Sequence, residues 1–248
     1  MPDHTTICRF RNLLMEKGIF RQLLDEVNGQ MEKQGKLVKK GVAVDASIVA
    51  CAARPHRQVV VENVVTDREE PDNPAPVDEK VSVTYSHDSD AAWTKKGKTY
   101  HYGYKAHASV DADNALVLSI HATPANFSDT GELERLVEES HLPVKTRVYA
   151  NKGYTSQSNS AMLKRHGCKD GIMDRAWSNK PLTGRERKRN RQISKKRYIV
   201  ERVFGTLKER YDMARASYIG LAKVQGGLPL SSLAYNLKRA LFLLPARG

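Results

Sequence analysis

Apolar residues recur every three or four positions over the first 35 residues. Ile7, Phe10, Leu13 and Leu14 precede Gly18, and Phe20, Leu23, Leu24 and Val27 follow it. This spacing predicts two short helices, broken at Gly18 and packed as a pair. After Lys39-Lys40-Gly41 the period changes. Residues 42–49 form a short apolar run, enriched in β-branched side chains and interrupted by one carboxylate, which predicts a strand carrying Asp45. From about 54 to 98 the chain turns polar and acidic, with Pro71, Pro74 and Pro76. That composition predicts an insertion or mobile loop of low order.

Two alternating stretches follow, 100–110 and 116–122, joined by the turn-forming Asp111-Ala112-Asp113-Asn114. They predict a hairpin. Ser128-Asp129-Thr130 can cap a helix through Leu133, Leu136 and Val137 to about residue 140. Residues 146–150 read as a strand ending at Asn151-Lys152-Gly153-Tyr154, residues 156–166 as a helix stopped by Gly167, and 171–173 as a fifth strand. A long helix is predicted over about 193–210 and an amphipathic one over about 231–243. No internal repeat is present. Strand, hairpin, helix, strand, helix, strand, helix implies an α/β sheet covered by helices.

Composition narrows the function classes. Of 248 residues, 40% are hydrophobic, enough for a core and against disorder throughout. The longest apolar runs fall far short of the roughly 20 residues that cross a bilayer, and Met1-Pro2-Asp3-His4 begins no signal peptide, so the expected location is cytoplasmic. Cys8, Cys51 and Cys168 stand apart, supporting neither a disulfide framework nor a zinc ribbon. The formal charge of +13 points to a polyanionic partner. Its distribution sharpens that reading, because nine acidic residues face two basic ones between Glu62 and Asp90, whereas residues 180–197 hold nine basic residues and only Glu186.

That basic run leads into Arg197, Glu201 and Lys208. At 100° per residue, Glu201 lies about 40° and Lys208 about 20° from Arg197, so the three line one helix face beside the apolar stripe of Val200, Val203, Phe204 and Leu207. Alone, such a row is an ordinary ion-pair ladder of about 0.3–0.5 kcal/mol per pair. His87, His101, His107 and His121 lack metal-ligand spacing, and no phosphate-binding Gly-Lys loop of an ATPase is present. Trp93 and Trp177 are candidates for stacking on an extruded base, with ordinary packing as the competing reading and Trp177 the better placed. Tyr154 reads as structural.

Three segments in order resemble the DDE transposases of bacterial insertion sequences, in the insertion-sequence-five group. They are Val42-Ala43-Val44-Asp45-Ala46-Ser47, then Tyr149-Ala150-Asn151-Lys152-Gly153-Tyr154, then Arg197-Tyr198-Ile199-Val200-Glu201-Arg202-Val203-Phe204-Gly205-Thr206-Leu207-Lys208. Smaller matches at Trp93-Thr94-Lys95-Lys96-Gly97-Lys98 and Gly103-Tyr104-Lys105-Ala106-His107 extend the similarity over nearly the whole chain. The resemblance implies a ribonuclease-H-like mixed sheet flanked by helices over 41–248, with an acidic insertion at 54–98. It also implies two Mg2+ ions, replaceable by Mn2+, held by Asp45, Asn151 and Glu201, and DNA cleavage with strand transfer at insertion-sequence ends. Magnesium prefers oxygen ligands, so carboxylates from separate elements can hold it around a phosphate. Arg197 and Lys208 would hold Glu201 or grip phosphate, and Lys195, Lys196, Arg187, Lys188, Arg189 and Arg191 would lie along the duplex. The implied partners are double-stranded DNA, as terminal inverted repeats and target, and a second copy of the chain in a nucleoid-associated homodimer.

Two positions depart from the family pattern. Ser194 stands where related transposases carry tyrosine three residues before the arginine, which removes one phosphate contact. Asn151 stands where the family has aspartate, so the three-residue site falls from −3 to −2. An amide oxygen still ligates a hard cation but adds no charge, and weaker metal binding and lower turnover follow. A catalytically dead DNA-binding protein that competes with an intact transposase is therefore the rival reading. Residues 1–40 are expected to be a helical segment left from a truncated DNA-binding and dimerisation region.

Overall fold

A computed structural model of the chain describes residues 2–53, 57–65, 77–85, 88–178 and 180–243. Its central sheet carries α1 (His4–Glu16) and α2 (Ile19–Lys33) ahead of the first strand, β1 (Gly41–Ala50). The strands β2 (Arg57–Val65), β3 (Val77–Tyr85), β4 (Ala92–Lys96), β5 (Thr99–Asp111) and β6 (Val117–Pro124) follow. Then come α3 (Leu133–Glu139), β7 (Arg147–Ala150), α4 (Gln157–Arg165), β8 (Lys169–Ile172), α5 (Gly184–Arg210) and α6 (Leu221–Leu241).

The main sheet runs β5-β1-β7-β8, with β4 and β6 both paired to β5. β1 is antiparallel to β5 and parallel to β7, and β7 is parallel to β8. Both faces are covered. Ala43 and Val49 of β1 pack with Val200, Val203, Phe204 and Leu207 of α5 and with Val224 and Leu228 of α6. Val42 and Val44, of opposite parity, pack with Leu133, Leu136 and Val137 of α3 and Met162 and Leu163 of α4. This mixed sheet between helical layers is the ribonuclease-H-like architecture the sequence implies. Among the described residues, no helix is long and apolar enough to cross a membrane.

Four sequence readings need correction. The acidic stretch 54–98, expected to be irregular, contains β2 and β3, paired as a separate two-stranded sheet, and β4 on the edge of β5. α5 starts at Gly184 rather than 193, so the basic run lies inside the helix; Thr183 caps it reciprocally with Glu186. α6 begins ten residues before the predicted 231 and contains Pro229. α1 does not bury its apolar row: Ile7 and Phe10 are 56% and 60% exposed, while Met15 packs at Gly226 of α6.

Polar anchors hold the N-terminal helices to the sheet. The Asn28 amide donates to the carbonyls of Val117 and Leu118, and Asn236 of α6 donates to Asn28. Arg21 donates to the carboxylates of Asp25 and Glu139, the Ser119 hydroxyl and the Glu139 carbonyl. At the other end of the molecule Asp88, 1% exposed, accepts from the Tyr104 hydroxyl at 2.7 Å, the Cys51 thiol and the Gly220 amide. Asp90 accepts from the Leu221 amide at 2.8 Å, on the first turn of α6.

Candidate active site

Sheet register brings the first two site residues together. β1 and β7 pair Val42 with Val148 and Ala43 with Tyr149, so two residues further on Asp45 is level with Asn151, just past the end of β7. The Asn151 amide nitrogen donates to Oδ1 of Asp45 at 3.0 Å. Its carbonyl oxygen accepts from the Gly153 amide at 2.6 Å and caps the short 3-10 turn Lys152–Tyr154. That second bond fixes which way the carboxamide faces.

α5 supplies the third residue. Arg197 donates from Nη1 to Oδ2 of Asp45 at 2.6 Å and from Nη2 to Oε1 of Glu201 one turn later. The side chains of Arg197 and Asp45 are each 14% exposed, against 43% for Glu201. Burial pushes the Asp45 carboxyl above its ordinary range, the Arg197 charge pulls it back, and Glu201 and Asp129 push it up again. One guanidinium thus bridges two carboxylates contributed by different elements. Its Nε is buried without a partner among the described residues. The structure therefore gathers Asp45 and Glu201, 156 residues apart along the chain, around one positive group, with Asn151 joined to Asp45.

Lys208 does not share this role. It is half-buried, makes no ion pair among the described residues, and its ammonium is lowered by burial and by Lys96. Holding Glu201 falls to Arg197, because Lys208 sits about 10 Å further along the helix at 1.5 Å per residue. The basic run is divided too. Arg187, Lys188, Arg191, Lys195 and Lys196 are exposed and free of ion pairs among the described residues. Arg189 is instead tied to the Ile172 carbonyl and the Asp174 carboxylate at 2.8 and 2.9 Å, with Asp170 at 3.5 Å, bracing α5 against β8.

Several further groups fall near the site or carry metal-binding chemistry. Asp129, which the sequence offered only as part of a helix cap, receives the Lys105 ammonium at 2.8 Å and influences both Asp45 and Tyr154. Tyr154 is fully buried, as its structural reading requires, although its hydroxyl finds no partner among the described residues. Trp93 and Trp177 are 51% and 61% exposed, and Arg175 lies over the Trp177 ring. His107 and His121 are buried strand residues with stacked rings, bonded to Thr123 and Glu132. His87 lies outside the described residues. On the surface, Glu134 and Glu138 of α3 and His166 beyond α4 bring ligand atoms within 4.8 Å of one another, although Arg165 already pairs with Glu134. No linear motif could have found that trio, because it spans two helices.

Residues 39–237 match the family described as "Transposase DDE domain". The chain is also 40% identical over 238 residues to the transposase for insertion sequence element IS1106 of Neisseria meningitidis serogroup B, an alignment covering 94% of this chain and 76% of that relative.

Proposed function

Since the chain belongs to the DDE transposases of insertion sequences, we propose that it cuts and joins DNA at the ends of such an element, through a site built on Asp45, residue 151 and Glu201. The observation that carries this reading is the convergence of Asp45 and Glu201 on Arg197, with Asn151 bonded to the same Asp45 carboxylate.

The donor set fits a divalent cation. Two carboxylates already surround one positive charge, and a flip of the Asn151 carboxamide, whose nitrogen now faces Asp45 while its carbonyl accepts from the Gly153 amide, would add a third oxygen. Asp45, Glu201 and that carbonyl would hold Mg2+, or Mn2+ in its place; the ions would lower the pKa of water or a 3′ hydroxyl and stabilise charge on the scissile phosphate. The chain's own contribution is positional. Asp45 is fixed on a central strand, and Glu201 on a helix whose apolar stripe is buried. Arg197 supplies a fixed positive charge between them. The exposed cations Arg187, Lys188, Arg191, Lys195 and Lys196 attract duplex DNA with steep salt dependence and little sequence information. Double-stranded DNA, as terminal repeats and target, and a second copy of the chain are the partners this reading requires.

The decisive experiment is reversion at position 151. Asn151→Asp should restore magnesium-dependent cleavage of terminal-repeat DNA. A revertant that stays inert where a control transposase cuts removes the two-metal assignment. The second reading, a DNA-binding competitor without catalysis, is favoured by the Asn151 donor itself, which occupies a lone pair of Asp45. Binding of supercoiled DNA without nicking, in magnesium or manganese, selects it.

A further inference from the structure

Beside the acidic site, the face of the sheet that carries Asp45 continues into a cavity of about 510 Å³ between α5 and the β7–β8 edge. Arg147 and Tyr149 of β7, Gly171 of β8, and Gln192, Lys195 and Lys196 of α5 line it. Arg189 and Asp170 complete the wall, but they are already satisfied. Asp170 accepts from Ser160 and the Ile172 amide, and Arg189 is held by Asp174 and Ile172. Arg147, Lys195 and Lys196 are all exposed, and among the described residues none has an ion pair. The concavity therefore carries three cations that make no ion pair among the described residues, and Asp170, shared with Arg189, is the carboxylate in its wall. Like charges gathered this way repel one another, and the arrangement is stable only when water, salt or a bound anion screens it.

The cavity is also shaped. A side chain at Gly41 would strike the Tyr149 ring at 2.8 Å, and one at Gly171 would meet that ring and the Arg147 stem at 3.1 Å. Two bare backbone positions thus let Tyr149 and Arg147 lie down along the sheet, flooring the groove and leaving it open. Its position follows from element geometry. Tyr149 precedes Asn151 by two residues on one strand face, and Ile193 precedes Arg197 by one helical turn, each about 6 Å. At 3.4 Å rise per nucleotide in each strand, that is about two nucleotide steps from the acidic site.

We propose that this groove is a phosphate-binding subsite for the DNA strand flanking the reactive phosphodiester, with Arg147, Lys195 and Lys196 as its cationic contacts and Tyr149 as its floor. It rests on the transposase reading for its substrate but not for its chemistry, since among the described residues Arg147 has no ion pair with Asp45 or Glu201.

The test uses the full chain, a fluorescent random-sequence duplex and a salt series read by anisotropy. Arg147→Glu should weaken binding about tenfold near 0.1 M salt and reduce the slope of log K against log salt by about one. Arg147→Gln, which introduces no repulsion, should lower the slope similarly with a smaller loss of affinity. Lys164→Glu, the same charge reversal on α4 outside the groove, should retain the native slope. If both Arg147 variants behave as Lys164→Glu does, the subsite is overturned while the transposase reading stands. If the native chain shows no salt-dependent binding, both fall. If the Arg147 variants respond as expected but Asn151→Asp cleaves nothing, the subsite survives and the metal-site reading does not.

Discussion

Asn151 donates its amide hydrogen to Oδ1 of Asp45, at the position where the resemblance to DDE transposases implies a second carboxylate. The contact explains how the site holds together without that acid. A carboxylate at 151 would face Asp45 with like charge, and a cation between them, or a proton taken up by one of them, would relieve the repulsion. The carboxamide relieves it by a neutral hydrogen bond, with its other end committed to the Gly153 amide.

Replacing that donor by Asn151→Asp should therefore make stability depend on divalent ions. In chelator the variant should melt below the native chain, and millimolar magnesium should raise its melting temperature more than it raises the native one, because the ion binds the folded form. Differential scanning fluorimetry with and without magnesium checks this. A variant indifferent to the ion speaks against a metal site at Asp45.

Arg197→Ala should cost about 2 kcal/mol or more at neutral pH, approaching the 3–5 kcal/mol of a broken buried pair, because both Arg197 and Asp45 are 14% exposed. The penalty should shrink in acid. Asp45 already titrates above its ordinary value when folded, so its contribution to stability is greatest at low pH and declines as pH rises through the folded pKa. Losing the opposing Arg197 charge raises that pKa further and widens the decline. Urea midpoints of native and variant chains at about pH 4 and about pH 7 measure the difference; a penalty independent of pH would show that Arg197 does not act on Asp45.

His107 is expected to set a limit on acid stability. Burial, then its neighbours His121, Lys105 and Arg135, depress it from 6.5 to about 3, so it is neutral in the folded chain. The folded pKa lies below the unfolded one, so the stabilisation is complete above about 6.5 and is lost as pH falls toward 3, at most about 5 kcal/mol. His107→Leu leaves the Thr123 hydroxyl without its partner, costing about 1 kcal/mol at neutral pH. Between about pH 6 and pH 4 its stability should fall less steeply than that of the native chain, as read from denaturant midpoints.

Gly171→Ala should destabilise by about 1–3 kcal/mol, since its Cβ would lie 2.6 Å from the Val148 carbonyl oxygen, a backbone atom that cannot swing aside. The same methyl presses on Tyr149 and Arg147. A thermal melt unchanged from the native chain would mean that β7 and β8 separate at no cost.

Much of this organisation could be read from residue pattern, and the failures have physical causes. Residues 42–49 announced β1 because β-branched side chains dominate a short run, and the i, i+4 spacing of Arg197 and Glu201 announced their ion pair. The start of α5 was hidden because Arg185 through Arg191 present cations on every side and no apolar stripe, although Thr183 and Glu186 stand three apart as a capping pair. α6 was shortened because Gly226, Gly227 and Pro229 each disfavour a helix in isolation. Tertiary packing, with Met15 pressed against Gly226, overrides them. In β2 and β3 the valines were outweighed by acidic charge. The meeting of Asp45 with Asn151 lay beyond any local pattern, since it depends on a parallel register across 106 residues.

The anchoring of Asp88 and Asp90 bears on how far the sheet depends on the β2–β3 ribbon. Both aspartates stand immediately after the β2–β3 ribbon, one buried among Tyr104, Cys51 and Gly220 and the other on the first turn of α6. The return of the chain to the sheet is thereby secured at a single junction. A ribbon longer, shorter or of other composition upstream of that junction would leave the strands bearing the acids in their alignment.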